Sequence, residues 1–410
     1  MTTTTPALRD DPRIDPRLVA AVEPFGLADP LPPSRLDASA PLEVIRTALA
    51  KATDAHAYPA TAGTPGLREA IAEWYARRRG AVVAPDATLP TVGSKELVAL
   101  LPFLLGIGAG EAVVFPRVAY PSYAMGAALV GAEAVAADDP ADWPAHTRLV
   151  WINSPGNPDG RVMGVEALRA AVARARELGA VIVGDECYAE LGWDAPWDAE
   201  RIPSILDTRV VGELDGAPDH RGVLAAYSLS KQSNLAGYRA AFVAGDPTLI
   251  RSLLNVRKHA GLIVPAPVQA AMAAALRDDA HVAAQRERYR ARREVLRPAL
   301  EAAGFRIDGS EAGLYLWATR PGGRADAAAG AADAKADADA SAAKADADAD
   351  AGAWSIVAEF AELGILVGPG PFYGSHSDGH VRLALTASDE QIAAAAARLR
   401  DASRRAVGRG

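Results

Sequence analysis

Five short runs between residues 111 and 245 are apolar at nearly every position: "EAVVF" (111–115), "RLVWIN" (148–153), "AVIVGDE" (180–186), "VLAAYSLS" (223–230) and "RAAFVAG" (239–245). A strand with one wet face alternates polar and apolar residues. A run without alternation suits a strand covered on both faces, as in a parallel sheet between layers of helices. Between two of the runs, "GVEALRAAVARARELG" puts Val165, Leu168, Val172 and Leu178 on one helical face and stops at Gly179, which completes a βαβ unit. "LREAIAEWYARRRG" repeats the device, with Leu67, Ile71, Trp74 and Tyr75 on a face and Gly80 as the stop. The pattern predicts an α/β large domain over residues 58–270, its mostly parallel sheet flanked by helices.

The flanks differ in character. Residues 1–57 are rich in Pro, Asp and Arg, with one helix predicted near "LEVIRTALAKA". Residues 271–410 hold a long charged helix, "AQRERYRARREVLRPALEAAG", and two strand candidates, "GLYLWAT" and "HVRLALT". Together the two flanks are expected to form a smaller α+β domain, with the first as its lid. Residues 321–353 are low-complexity Ala and Asp with no large apolar residue. With no apolar face to dock and Asp opposing a helix, that stretch reads as a solvated, mobile insertion.

Composition narrows the partners. The net charge is −8, and no basic run could track a phosphate backbone, so no nucleic-acid partner is expected. The most apolar stretch, "ELVALLPFLLGIGAG", is too short to span a bilayer and contains Pro102. The first residues show no apolar signal core, and the single cysteine, Cys187, leaves no internal disulfide. A cytoplasmic protein is the expectation. The seven histidines are scattered without ligand spacing, so no metal is expected. "GIGAG" precedes its strand, the wrong order for a dinucleotide fingerprint, and reads as a turn.

Chemistry gathers at the strand ends. Asn157 lies in "INSPGNPDG" after one strand, Asp185 and Tyr188 in "VIVGDECY" after a second, and Ser228, Ser230 and Lys231 in "SLSK" after a third. Taken singly, Asn157 reads as a turn residue and Asp185 as a helix cap. Together they point into the crevice where open α/β sheets bind ligands. A lysine amine forms a Schiff base with an aldehyde, and pyridoxal 5'-phosphate needs such an anchor plus a carboxylate for its ring nitrogen. Asn157 and Tyr188 can donate to the ring oxygen, and Ser228 and Arg239 can bind the phosphate. The helix opening at Gly93-Ser94 offers free N–H groups to an anion, and Tyr120 could stack on the ring.

The chain resembles the class I/II pyridoxal-phosphate aminotransferases of fold type I, nearest to the actinobacterial N-succinyldiaminopimelate aminotransferases. The motifs that carry the resemblance include "YPATAGTPGLREA", "GSKELVALLP", "AYPSY", "SPGNPDGRV", "GDECYAELGWD", "SLSKQSNLAGYRAAFVAGD" and "VRLALT". It implies that Lys231 carries the cofactor and moves protons, that Asp185 pairs with the ring nitrogen, and that Asn157 and Tyr188 bond the ring oxygen. It places Ser94, Lys95, Ser228 and Arg239 around the cofactor, the phosphate included, with Tyr120 on the ring. It implies that Tyr58 reaches the phosphate of a second subunit, hence a homodimer with shared sites. Arg382 would clasp the α-carboxylate of amino-acid and 2-oxo-acid substrates. By its strand pattern alone, Arg382 is a wet-face residue of a half-buried strand. Lys95, Arg257 and Lys258 are candidates for further substrate carboxylates. Residues 14–45 depart from the family's Gly-x-Pro loop, and its Asn-Pro-Thr-Gly turn is here Asn157-Pro158-Asp159-Gly160.

Overall fold

The computed structural model describes residues 43–322, 342–377 and 379–407. The loop reading for residues 14–45 falls almost wholly outside them, as does the first part of the predicted insertion. Each of the five apolar runs is a strand of one seven-stranded sheet. Its strands are β1 (Thr88–Val92), β2 (Ala112–Phe115), β3 (Glu133–Ala136), β4 (Thr147–Asn153), β5 (Val181–Asp185), β8 (Val223–Ser228) and β9 (Ala240–Gly245), with a small hairpin of β6 (Glu213–Leu214) and β7 (Ala217–Pro218) apart from it. The order is β1-β9-β8-β5-β4-β2-β3, and β9 alone runs against its neighbours. The strands that the apolar pattern does not announce are the two at the edges: β1 is interrupted by Pro90, and β3 is largely exposed.

Alternate residues of the central strands feed two cores. Ile182, Ala225, Tyr227 and Phe242 pack with Trp74, Leu168, Val172 and Met272 on one face. Val183, Leu224, Ala226 and Val243 pack with Leu97, Leu101, Tyr123 and Leu253 on the other. Helices Pro65–Trp74, Val165–Leu178 and Ala266–Arg277 cover the first face; Ser94–Leu104, Ser122–Leu129 and Pro247–His259 cover the second. Helix Pro65–Trp74 runs on into a π-turn, Tyr75–Arg79, before Gly80 ends it at φ 64°. The wider turn leaves both Trp74 and Tyr75 fully buried, and each such side chain contributes about 2–3 kcal/mol. On the other face Gly126 lets two helices meet backbone to backbone, since a Cβ there would lie 2.9 Å from the Val98 carbonyl oxygen.

The chain divides into two compact units, one of residues Ser39–Arg288 with Glu311–Gly313, the other including Tyr289–Ser310 and the chain from Leu314. The division falls inside helix Asp279–Ala302 rather than at the 270/271 boundary read from sequence. Residues 43–57 group with the large unit, because Ile45 of helix Glu43–Lys51 is buried in its core. The smaller unit holds an antiparallel sheet of β10 (Arg306–Ile307), β11 (Tyr315–Thr319), β12 (Gly368–Pro369) and β13 (His380–Ala384), ordered β10-β11-β13-β12.

One expectation is corrected. Residues 342–353, read as part of a helix-free insertion, form the first half of helix Ala342–Glu362. The second half buries Ile356, Val357 and Phe360, and extension from a docked helix costs little through alanine. None of the described helices is long and apolar enough to cross a membrane.

Candidate active site

Strand direction brings the sequence candidates together. β4, β5 and β8 are parallel and end side by side, with Asn153 opposite Asp185 and Asp185 opposite Ala226. β9 is reversed, so it begins where β8 ends, and Ser228 pairs with Ala241. β1 is reversed again and ends there too, Val92 opposite Ala240. The residues just beyond these positions, Asn157, Tyr188, Lys231, Arg239 and Gly93-Ser94, therefore share one sheet edge.

One corner of that edge is built for an anion. Gly93 has φ 77°, and a Cβ on it would lie 2.2 Å from Arg239 Nη2, so the guanidinium lies against the bare backbone. Helix Ser94–Leu104 starts at this point with no side chain capping its N–H groups. Arg239 adopts φ 58° and donates from Nη1 to the Ala236 carbonyl at 2.9 Å. Ser228 Oγ donates to Ser230 Oγ at 2.8 Å and accepts from the Ser230 N–H at 3.2 Å, capping the short helix Leu229–Gln232 that bears Lys231. Lys95 Nζ stands 5.4 Å from the centroid of the Tyr120 ring.

Asp185 forms the other corner. Its Oδ2 accepts from the Tyr123 hydroxyl at 2.9 Å and its Oδ1 from the Cys187 N–H at 3.3 Å. Burial pushes the Asp185 carboxyl above the usual range, opposed by the Cys187 thiol, the Tyr123 hydroxyl and the charge of Lys231. Burial also raises the Tyr123 phenol well above its ordinary value, so it remains a neutral donor. Asn153 ties the neighbouring loop to this strand: Nδ2 donates to the Asp185 and Pro155 carbonyls, each at 3.1 Å, and Oδ1 accepts from the Asn157 N–H at 2.8 Å. Tyr188 is buried, and Lys231 Nζ lies 5.7 Å from its ring centroid.

Ser94, Lys95, Tyr120, Asn157, Asp185, Tyr188, Ser228, Lys231 and Arg239 thus all lie in the large unit. Tyr58 belongs to the same unit and is 96% exposed. Arg382 lies in the smaller unit on β13, its guanidinium carbon 4.0 Å from the Tyr315 ring and 5.0 Å from the Tyr373 ring. Arg257 is corrected: it is fully buried and spends both Nη groups on Glu96, at 2.7 and 2.9 Å, which leaves it a structural ion pair. Lys258 beside it is exposed. Sequence reasoning missed Tyr123, Cys187 and Asn153. The signal for Tyr123 was its place three residues after Tyr120 at the start of a helix, and for Asn153 a polar residue closing an apolar strand.

A lysine amine, a buried carboxylate and an anion cradle lined by glycine backbone fit an aromatic aldehyde that carries a phosphate. The wider likenesses agree. The family model described as aminotransferase class I and II matches residues 33–399. The chain is 51% identical to a 4-dedimethylamino-4-oxo-anhydrotetracycline transaminase of Streptomyces rimosus over 93% of its own length and 95% of the relative's. It is 47% identical to a probable aminotransferase of Mycobacterium tuberculosis, over 95% and 84% of the two chains. Among solved structures, a probable N-succinyldiaminopimelate aminotransferase from Thermus thermophilus aligns with a TM-score of 0.75 at 25% identity, covering 94% of this chain and 98% of that one. The chain belongs to the class I and II aminotransferases of fold type I and is a pyridoxal-phosphate-dependent aminotransferase.

Proposed function

We propose that this enzyme transfers the amino group of glutamate to N-succinyl-2-amino-6-oxopimelate, giving 2-oxoglutarate and N-succinyl-LL-2,6-diaminopimelate, a cytoplasmic step toward diaminopimelate and lysine. The observation that carries the site assignment is the convergence of Lys231, Asp185 and Arg239 on one sheet edge. Bound pyridoxal phosphate supplies an aldehyde and a ring that accepts electrons from the substrate Cα. Lys231 would hold that aldehyde through its amine and would be the base that moves the substrate Cα proton. Asp185 keeps a proton on the ring nitrogen, and Asn157 and Tyr188 donate to the ring oxygen. Ser94, Ser228, Arg239 and the first N–H groups of helix Ser94–Leu104 would hold the phosphate, with Lys95 beside them, and Tyr120 would pack on the ring.

Arg382 takes the substrate α-carboxylate in a two-pronged fork. The exposed amines Lys95 and Lys258 are available to the acceptor's other carboxylates. Tyr58, bare on the single chain, reaches the phosphate site of a second copy in a homodimer with shared sites. The likeness to the Thermus enzyme supports the succinylated acceptor. A second reading follows the 51% identity to the tetracycline-ring transaminase and gives the acceptor as a polycyclic ketone.

The test is a single turnover. Purified wild type should absorb visible light, lose the band in Lys231→Ala, and release 2-oxoglutarate from glutamate. Amino transfer to the succinylated oxo acid but not to a polycyclic ketone supports the first reading; the converse supports the second. Inertness toward glutamate removes both.

A further inference from the structure

The residues that follow Lys231 turn into the protein, away from the sheet edge. Gln232 and Ser233 are each 2% exposed. The Tyr227 hydroxyl donates to Gln232 Oε1 at 2.6 Å, and Gln232 Nε2 donates to Ser233 Oγ at 3.3 Å. Ser233 Oγ then meets His281 Nε2 at 2.8 Å, and His281 Nδ1 faces Asp278 Oδ2 at 3.5 Å. The order of Ser233, His281 and Asp278 imitates a hydrolytic triad, but Ser233 and His281 are 2% and 3% exposed, so no acyl substrate reaches them.

The directions in the chain follow from its ends. A phenol and an amide N–H both donate forward, so Ser233 Oγ accepts from Gln232 and donates its O–H to His281. Nε2 is then an acceptor, and the ring proton sits on Nδ1, toward Asp278. Burial lowers the His281 pKa, against the pull of Asp278 and Asp279, which keeps the ring neutral and Nε2 free to accept. A second tie runs alongside: Asn234, at φ 54°, donates from Nδ2 to Gln285 Oε1 at 2.9 Å. His281 and Gln285 are four apart on helix Asp279–Ala302, so two successive residues of the lysine loop are fixed to one face of one helix.

We propose that His281 is a positioning residue for Lys231, its neutral Nε2 anchoring Ser233 and Gln232 so that the short helix Leu229–Gln232 holds the amine in place at the tip of β8. This rests on the reading of Lys231 as the cofactor anchor. A loosened anchor lets the amine wander, and displacements of about 1 Å at a reacting group cost up to ~100-fold in rate.

The test compares wild-type holoenzyme with His281→Leu, which has no acceptor, His281→Gln, which keeps one, and Ser233→Ala. Two quantities are read: the midpoint pH of the visible band without substrate, and the single-turnover rate with glutamate. His281→Leu should displace the midpoint by about half a pH unit or more and slow the turnover roughly tenfold. Ser233→Ala should move both in the same direction, and His281→Gln should return both close to wild type. Should His281→Leu not fold, Ser233→Ala decides. A folded, cofactor-loaded His281→Leu or Ser233→Ala with wild-type midpoint and rate overturns the anchor while leaving the role of Lys231 intact. A wild type without any visible band overturns both.

Discussion

Asp185 and Glu186 are neighbours at the tip of β5, almost equally buried at 6% and 2% exposure, yet they face opposite sides of the sheet. Glu186 is matched by charge: Arg79 Nη2 lies 3.2 Å from it, with the Ser204 hydroxyl at 2.9 Å and the Ile205 N–H at 2.7 Å. Asp185 accepts hydrogen bonds from neutral donors, the Tyr123 hydroxyl and the Cys187 N–H. The lesson is one of bookkeeping in charge. A buried carboxylate that already owns a guanidinium holds the fold together, whereas one solvated by neutral dipoles is left, on the proposed reading, to a cationic ring nitrogen.

The largest effect should come from Asp185→Asn, which cannot keep a proton on that nitrogen. Single-turnover rate should fall roughly a thousandfold, about 4 kcal/mol, while the melting temperature of the cofactor-free protein holds or rises. The sign follows from the raised carboxyl: its folded-state pKa lies above the unfolded value, so stability is lost as pH rises through it, and the amide avoids that loss. An unchanged rate would erase the contrast between the two carboxylates. Arg79→Met should do the reverse, costing about 3 kcal/mol of stability in a denaturant titration, because it strands Glu186 as a buried charge. Tyr123→Phe removes one neutral donor from Asp185 and should cost about 1.5 kcal/mol, read as a rate loss near tenfold with little change in substrate KM.

The smallest effect is at Asp159, where burial pushes the carboxyl up to about 6. The folded chain keeps this proton after the unfolded chain has lost it, so stability falls as pH rises from about 4 to about 6. With 19% of the side chain still exposed, Asp159→Asn should gain about 1 kcal/mol at pH 7 and nothing at pH 4.

Much of this was legible in the residues because it follows from local rules. Strands covered on both faces write themselves as unbroken apolar runs, and a lysine, an aspartate and an arginine at the ends of such runs stand out as anomalies. What was illegible depended on distant partners. Tyr123 looks like one more core aromatic until the parallel register of β2, β4 and β5 sets its helix over Asp185. Arg257 looks available until Glu96, far off in sequence, is found holding it. The edge strands carry little apolar signal because β1 places Thr88, Pro90 and Thr91 in buried positions and β3 is largely exposed. Helix Ala342–Glu362 begins in text with no face of its own, borrowing its register from the half that docks.

The reversal of β9 has a further meaning. Parallel strands need a crossover along the sheet to return to the same end, whereas the antiparallel step from β8, which ends at Ser228, to β9, which starts at Ala240, never leaves that end. On the proposed roles of Lys231 and Arg239, that makes the stretch between them a molecular ruler, matched to the span between an aldehyde and a phosphate on the same small molecule. A single inserted residue would change the gauge without disturbing either end. Variants of that loop length should therefore lose discrimination for the phosphorylated aldehyde before they lose the fold.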